Sequence, residues 1–454
     1  MMNQGYFTKE YTVREIVLFC LLSLFSSFGF ADEEYRHQWT TSGGTKVIFI
    51  QTSVLPIVDV SIDFAAGAAF DPAGKEGLAR FTLRLLDKGT EASDEQQLAE
   101  RLAGTGSQLG GTFDLDRSGL TLRSLAFEDE LNDSLSVVEE MLHAPTFPTE
   151  ILDREIKSGI ASLNESVKRP GTVASRTFYE QLYPDHPYRS TGVGTEESLR
   201  SLTSGDLSSF YKRFYRRTNG VITIVGDLTL TRATEISEQL SDALPIGDEA
   251  PEKLIAPDIG VIDRETVIYN PASQAHIRIG ALGVKRGDPD YLPLILANQI
   301  LGGGGMTSIL YDELREKRGL TYGVYSYFSP LRAEGPFVIS FQTRKDQARD
   351  ALDLAMELAR QFVREGPTLE QLQNAKRYFI GAFALNVDSN AELLDYYSTI
   401  GFYGLPLDYI DSFSQRVESV TLEEVNDALK RRLTLENTIR IIVGPEAEFS
   451  RTDG

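Results

Sequence analysis

The chain has 454 residues, of which 41% are hydrophobic and 24% charged, so it is long enough to bury at least two cores and is not disordered. Its formal net charge is -21, and no basic arm or patch offsets this acidity, which argues against a nucleic-acid partner. The acidity could favour basic peptides, although solubility alone explains it more simply.

Near the N-terminus, residues 16–26 (IVLFCLLSLFS) form a short apolar run that follows basic residues and precedes Ala31. This arrangement predicts a secretory signal peptide over residues 1–31, with an uncleaved membrane anchor as the alternative. Cys20 is the only cysteine and lies in this segment, so the mature chain would lack thiols and disulfides. We therefore expect a periplasmic protein of a Gram-negative bacterium, without a membrane span in its mature form.

The first half alternates between strand and helix patterns. The predicted elements are strands 47–51 and 58–64, helices 75–88 and 94–103, two strands within 110–127, helices 128–142 and 150–164, a helix from 204 to about 216, and strand 220–225. Residues 246–260 carry proline and many charges, and we interpret them as a linker.

The second half repeats this pattern. Its predicted elements are strand 274–282, helix 291–301, strand 334–343, helix 422–433 and strand 438–443. In each half, one strand is followed by a long helix and by a second helix that begins with Pro-Thr, at Pro148 and at Pro367. The offset is about 220 residues, which indicates a duplication. We therefore expect an N-terminal domain over 32–245 and a C-terminal domain over 261–454.

The most distinctive stretch is 301–328, LGGGGMTSILYDELREKRGLTYGVYSYF. A glycine turn should lead into a short helix capped by Thr307 or Ser308, and a strand should follow Gly319. The turn consists of Gly302, Gly303, Gly304 and Gly305. It lacks the Gly-Lys-Ser/Thr sequence of a phosphate loop, so nucleotide binding is not expected.

Arg315 and Tyr322 flank the end of this helix and could together donate hydrogen bonds to a peptide carbonyl or its oxyanion. Spacing alone leaves the alternative of a solvated arginine and a core tyrosine. The stretch, however, resembles the C-terminal half of the pitrilysin and insulinase family of zinc peptidases (M16), in which a glycine-rich turn, Leu-Arg-Glu-Lys-Arg-Gly-Leu and a tyrosine recur. This resemblance implies that Arg315, Tyr322 and the glycine turn bind the substrate backbone.

The resemblance extends over nearly all of the mature chain. It implies an α+β fold of two homologous halves, each a mainly antiparallel sheet packed with helices, that enclose a cleft (the LuxS/MPP-like metallohydrolase fold). In active members of the family, a helix carries His-x-x-Glu-His, which binds zinc and activates water. At the matching positions this chain has Arg80, Leu83 and Arg84. Two permanent cations would oppose a metal dication by several kcal/mol each, so we expect no metal in this chain.

No other ligands compensate for this loss. The third zinc ligand of the family would fall near 159–161, where the nearest acids are Glu155 and Glu165. The histidines lack metal-ligand spacing. They are His37, His143, His186 and His276. His186 belongs to a His-Pro-Tyr segment that resembles a packed turn of the family. Arg80 and Arg84 are either ion-paired surface residues or a grip for a carboxylate.

The resemblance implies a zinc-free subunit of a periplasmic M16 metallopeptidase heterodimer. A partner with His-x-x-Glu-His would hold zinc and the general base, while this chain binds the peptide through Arg315 and Tyr322. The peptide could add as a strand at a sheet edge near 320–328 or 58–64. The alternatives are a scaffold or chaperone-like peptide-binding protein of the same fold, and a hydrolase of unrelated chemistry, for which no Gly-x-Ser-x-Gly or mature thiol is present.

Overall fold

A computed structural model describes residues 35–247, 253–258, 263–383 and 389–445. The signal peptide predicted over 1–31 and part of the predicted linker lie outside these ranges. Among the residues described, every helix is too short or too polar to cross a membrane.

The first half forms a six-stranded sheet in the order β1-β2-β6-β3-β5-β4. Its strands are β1 (Arg36–Thr40), β2 (Lys46–Gln51), β3 (Ile57–Phe64), β4 (Gln108–Phe113), β5 (Ser118–Leu125) and β6 (Gly220–Gly226). Its helices are α1 (Leu78–Arg84), α2 (Glu95–Gly104), α3 (Glu128–His143), α4 (Thr149–Ser166), α5 (Pro170–Leu182), α6 (Glu196–Arg200), α7 (Ser204–Phe214) and α8 (Leu230–Ala243). Strands β2 and β6 pair in parallel, and the other pairs are antiparallel.

The second half forms a five-stranded sheet in the order β7-β11-β8-β10-β9. Its strands are β7 (Arg264–Tyr269), β8 (Gln274–Leu282), β9 (Thr321–Phe328), β10 (Pro336–Arg344) and β11 (Ile439–Gly444). Its helices are α9 (Tyr291–Asn298), α10 (Ile309–Tyr311), α11 (Ala348–Glu365), α12 (Leu369–Phe383), α13 (Asn390–Tyr403), α14 (Phe413–Ser419) and α15 (Leu422–Arg432). One pair, β7 with β11, is parallel. The second sheet thus repeats the first without β1, which confirms the predicted duplicated α+β fold.

The two halves exchange equivalent helices. Helix α5 packs on β8 and β11 of the second sheet, and α13 packs on β2, β3 and β6 of the first. Glycines allow both contacts: a Cβ on Gly280 of β8 would lie 2.6 Å from the ring of Phe178 in α5, and one on Gly401 of α13 would lie 2.8 Å from Val221 in β6. This reciprocal packing, which the sequence analysis did not predict, interlocks the halves.

Asp116, in the turn between β4 and β5, joins the halves through buried hydrogen bonds. Its Oδ1 accepts from the hydroxyl of Tyr188 at 2.5 Å, and its Oδ2 accepts from the backbone N–H of Arg332 at 2.7 Å and the hydroxyl of Tyr403 at 3.1 Å. Tyr188 is fixed by the turn predicted at His186, whose Nδ1 accepts from the Tyr188 N–H at 3.1 Å. Donors from both halves therefore converge on one carboxylate.

Asp63 lies buried in the first sheet beneath α13. Arg117 Nε lies 3.8 Å from Asp63 Oδ1, and its Nη1 donates to Ser398 of α13 at 3.4 Å. Burial raises the pKa of Asp63 from 3.8 to about 6, although the Arg117 charge opposes the shift. Between these two values the folded chain holds a proton that the unfolded chain has released.

The contribution of Asp63 to stability is therefore complete below its unfolded pKa and is lost as the pH rises through about 6. We expect Asp63→Asn to reduce the difference in unfolding free energy between pH 5 and pH 7.5 by about 1–2 kcal/mol. Urea unfolding at both pH values measures this difference. An unchanged difference would show that Asp63 does not hold the proton.

Candidate functional site

Helix α1, which the sequence resemblance aligns with the metal-binding helix of active M16 peptidases, is shorter than the predicted 75–88. It begins after Gly77, whose φ of 102° lies in the left-handed region, and ends at Arg84. The carboxylate of Asp71 caps its start by accepting from the N–H groups of Gly77 and Ala79, each at 2.7 Å. Burial raises the pKa of Asp71 to about 7.

The three positions that the sequence resemblance aligns with the zinc motif are all engaged in other contacts. Arg80 Nε donates to the carbonyl of Gly192 at 3.0 Å, and its guanidinium lies 4.7 Å above the ring of Phe113. Desolvation lowers the pKa of Arg80. Leu83 packs against Gly111 of β4, where even an added Cβ would lie only 3.3 Å from Leu83 Cδ2.

Arg84 pairs with one of the two acids considered as a third ligand. Its Nη2 lies 2.5 Å from Oε2 of Glu155, a buried side chain on α4 that also contacts Arg154 Nε at 3.1 Å. Glu165, the other candidate, is exposed and pairs with Lys168 at 2.7 Å. Among the described residues, no group of three or more His, Cys, Asp or Glu side chains is placed to hold a metal ion.

The glycine turn packs directly against β9. The helix predicted over 291–301 ends as α9 and continues as a π-helical turn, Gln299–Gly303. A Cβ on Gly302 would lie 2.4 Å from Ser326 Oγ, so only glycine permits this approach. Two hydrogen bonds fasten the turn: Asn298 Nδ2 donates to the Ser326 carbonyl at 2.9 Å, and Ser326 Oγ donates to Asn298 Oδ1 at 2.6 Å.

The other glycines of the turn are restricted either by a close neighbour or by their backbone conformation. A Cβ on Gly303 would lie 2.6 Å from Asn298 Nδ2, and one on Gly304 would lie 2.5 Å from the Gln299 carbonyl. Gly305 has a φ of 55°, in the left-handed region. Ser308 occupies the predicted cap position of α10, but its hydroxyl donates backwards to the Gly305 carbonyl at 2.7 Å instead of capping the helix.

Arg315 lies in a second π-helical turn, Asp312–Glu316, that follows α10. Its guanidinium lies 4.7 Å above the ring of Tyr311, and its Nη1 lies 3.1 Å from Glu316 Oε1. An ion pair between exposed side chains contributes at most about 1 kcal/mol, so a ligand can replace Glu316. This turn ends at Glu316, three residues before Gly319, the predicted end of the helix, which has a left-handed φ of 62°.

Tyr322 is 86% exposed at the start of the edge strand β9 and is therefore not a core aromatic. The pairing with β10 shifts between Phe341 and Thr343, so Tyr322 and Gly323 together face Gln342. Such a bulge reorients the side chain of the extra residue. No hydrogen bond joins Tyr322 to Arg315 among the residues described.

Thr321 holds this bulge, a role that the sequence analysis missed. Its Oγ1 accepts from the N–H of Gly323 at 3.2 Å and donates to the Gly323 carbonyl at 2.9 Å. A glycine inside a strand pattern often marks a bulge, and this was the signal available in the sequence.

The sheet order decides where an extended peptide could add. Strand β9 is an edge of the second sheet, so addition near 320–328 is sterically possible. Strand β3 lies between β6 and β5 and has no free edge. The prediction of strand addition at 58–64 was therefore wrong, because both sides of that strand are already paired.

Together, the duplicated sheets, the glycine turn at β9 and helix α1 define a protein of metallopeptidase architecture in which no side chains of the described residues are grouped to hold a metal ion. Residues 46–196 match the profile described as "Insulinase (Peptidase family M16)", and residues 201–379 match "Peptidase M16 inactive domain". The chain belongs to the M16 peptidase family, as the sequence resemblance indicated.

Similar proteins span nearly its whole length. A crystal structure titled as a peptidase M16 inactive domain from Pseudomonas fluorescens is 35% identical, with a TM-score of 0.87 over 91% of this chain and 99% of that one. The "Non-peptidase homolog YmxG" of Helicobacter pylori is 23% identical over 95% of this chain and 98% of its own. The "Uncharacterized zinc protease YmxG" of Bacillus subtilis is 22% identical over 91% and 99%.

Proposed function

We propose that this chain is the zinc-free subunit of a periplasmic M16 metallopeptidase heterodimer. It supplies the substrate-binding Arg315, Tyr322 and glycine turn to a partner that carries His-x-x-Glu-His. The observation that carries this proposal is an asymmetry between two surfaces. Helix α1 presents two guanidiniums and a leucine, whereas Arg315 is only weakly paired and Tyr322 is 86% exposed.

In the proposed complex, a peptide would add to the free edge of β9. Its backbone would pair with the strand, and the Tyr322 hydroxyl and the Arg315 fork would donate hydrogen bonds to the carbonyl that is attacked. Such donors stabilise the oxyanion of acyl transfer because negative charge develops on that oxygen. The partner's zinc would supply the activated water.

The proposal calls for a second chain, because no group of three or more His, Cys, Asp or Glu side chains among the described residues is placed to hold a metal that would activate water. Helix α1 and β9 belong to different halves, and no hydrogen bond or ion pair of the described residues joins Arg315 or Tyr322 to α1. The positions of the first histidine and the general base hold Arg80 and Leu83. Both would therefore come from the partner.

The alternative is a scaffold or chaperone-like protein of the same fold, and the name of the Helicobacter pylori relative as a non-peptidase homolog agrees with either function. Under the scaffold alternative, Arg315 and Tyr322 would have no effect on turnover. The weak pairing of Arg315 and the outward bulge at Tyr322 favour the peptidase subunit, because neither feature serves packing.

The direct test is co-expression with the M16 chain that carries His-x-x-Glu-His and is encoded nearest to this one. Peptide cleavage is then measured for each chain alone and for both together. We expect turnover from the mixture and none from this chain alone. Turnover by this chain alone would overturn the proposal, and so would a partner whose full activity is independent of it. Periplasmic location is tested by fractionation, with a mature N-terminus expected at residue 32.

A further inference from the structure

We propose that a cavity between the first sheet and helix α13 binds a small monocarboxylic acid with an apolar tail, of the size of a medium-chain fatty acid. The cavity lies at the C-terminal end of α13 and has a volume of about 200 Å³. It contains none of the residues proposed to bind the peptide at β9, so this inference does not depend on the proposed function.

The cavity exists because α13 touches the sheet closely at one glycine and then ends. A Cβ on Gly401 would lie 2.8 Å from Val221 and 3.0 Å from Ile48, so only glycine permits this approach. Three residues later the helix ends at Gly404, whose φ of 66° is in the left-handed region. The chain turns there, and the segment that follows forms a further wall of the cavity.

Most of the lining is apolar. Ile48 and Val221 line the cavity from the sheet, whereas Ile400, Leu405 and Leu407 line it from the other half of the chain. Because water occupies about 30 Å³ per molecule in the liquid, the volume corresponds to about seven waters, or to a tail of roughly eight carbons. Transfer of such a tail from water into an apolar cavity is favourable.

The polar side chains of the lining lie together on the outer strands. Lys46 and Ile48 are two residues apart on β2 and therefore face the same side of the sheet. Gln38 of β1 pairs directly with Ile48, so its side chain is a close neighbour of both. Lys46 and Gln38 are exposed, and within the described ranges the Lys46 ammonium has no carboxylate partner. An ammonium and a carboxamide N–H are suitable donors for a carboxylate.

The helix end is the feature that would favour the opposite charge. The C-terminus of a helix carries a partial negative charge, which attracts cations, so an amine is the competing ligand class. Two carbonyls of this end are already engaged: that of Ile400 accepts from the Leu405 N–H at 2.9 Å, and that of Gly401 accepts from the Gly404 N–H at 3.3 Å. The full charge of Lys46 therefore decides in favour of the acid.

A ligand in this cavity would contact both halves of the chain at once. It would touch strands β1, β2 and β6 of the first sheet and helix α13 from the second half. A ligand that binds only the folded state stabilises it, so occupancy should raise Tm and slow hydrogen exchange in α13. The proposed site is thus also a point at which a small molecule strengthens the contact between the halves.

The test measures binding to the purified chain without its predicted signal peptide, by isothermal titration calorimetry. The probes are octanoate, 1-octanol and octylamine, which share one tail and differ in charge. We expect octanoate to bind about tenfold or more tightly than either of the others. Absence of octanoate binding at millimolar concentration would overturn the proposal, and so would an equal or higher affinity for octanol or octylamine.

Variants assign the binding to this cavity. Lys46→Gln should lower the affinity for octanoate to that for octanol, and Lys46→Arg should retain most of it, with circular dichroism spectra unchanged. Leu407→Trp should fill the cavity and abolish binding of all three probes. The matched control is Lys212→Gln, which removes an exposed lysine of α7 that does not line the cavity. Parental affinity for octanoate in Lys46→Gln or in Leu407→Trp would overturn the assignment.

Discussion

Replacement of Arg315 by alanine should lower kcat/KM of the two-chain complex by about 100-fold or more, while the zinc content of the partner stays unchanged. In the proposed complex, the Arg315 guanidinium donates to the oxygen on which negative charge develops. Its loss therefore raises the activation barrier but leaves zinc binding by the partner unchanged. Peptide hydrolysis at substrate concentrations well below KM measures the effect.

The matched control is Arg318→Ala, two residues after the turn that carries Arg315. Its Nη1 donates to the Glu313 carbonyl at 3.1 Å, and its side chain is 46% exposed. This variant removes the same charge without removing the proposed donor, so its kcat/KM should stay within about threefold of the parent. Tyr322→Phe removes only the phenolic hydroxyl, and this variant should also lose activity. Equal losses in Arg315→Ala and Arg318→Ala would mean that net charge, and not the fork, matters.

Replacement of Asp116 by alanine should reduce the free energy of unfolding by about 3–5 kcal/mol. The hydroxyls of Tyr188 and Tyr403 and the N–H of Arg332 all lose their acceptor, and each unsatisfied buried donor costs about 1–3 kcal/mol. Because these donors come from both halves, the variant should also loosen the joint between the halves, which is the set of hydrogen bonds from Tyr188, Arg332 and Tyr403 to Asp116. Urea denaturation measures the loss.

The control is Asp153→Ala, an exposed position on α4, which should change stability by less than about 0.5 kcal/mol. Hydrogen exchange provides a second measurement for the joint. In Asp116→Ala, we expect faster exchange in α5 and α13, which cross between the halves. A variant with parental stability and exchange would show that the joint does not depend on this carboxylate.

The sequence predicted the strands with the clearest alternation, such as 274–282, and the turn that carries Arg315, because these features depend on local pattern and on motif. It did not predict the exchange of α5 and α13. The signals of a helix were present: Pro170 at the first position of α5, and the capping box from Ser389 to Glu392 before α13. Which sheet each helix covers depends on contacts between residues that are far apart in the sequence, such as Gly401 against β6. The periodicity of a helix sequence carries no information about such contacts.

At the site, local sequence pattern also failed to predict the direction of a side chain and the position of a strand in its sheet. A strand was predicted at 320–328, yet the outward direction of Tyr322 depends on the bulge that Thr321 stabilises. Likewise, the free-edge prediction failed at 58–64, because sheet order is set by the pairing of β3 with β5 and β6.

The central claim is that the metal and the substrate-binding donors reside on different chains. Elemental analysis of this chain, purified alone and within the complex after equilibration with zinc, tests that claim most directly. We expect no stoichiometric zinc on the isolated chain and about one zinc ion per heterodimer. One zinc ion bound to the isolated chain, retained through dialysis, would contradict the account.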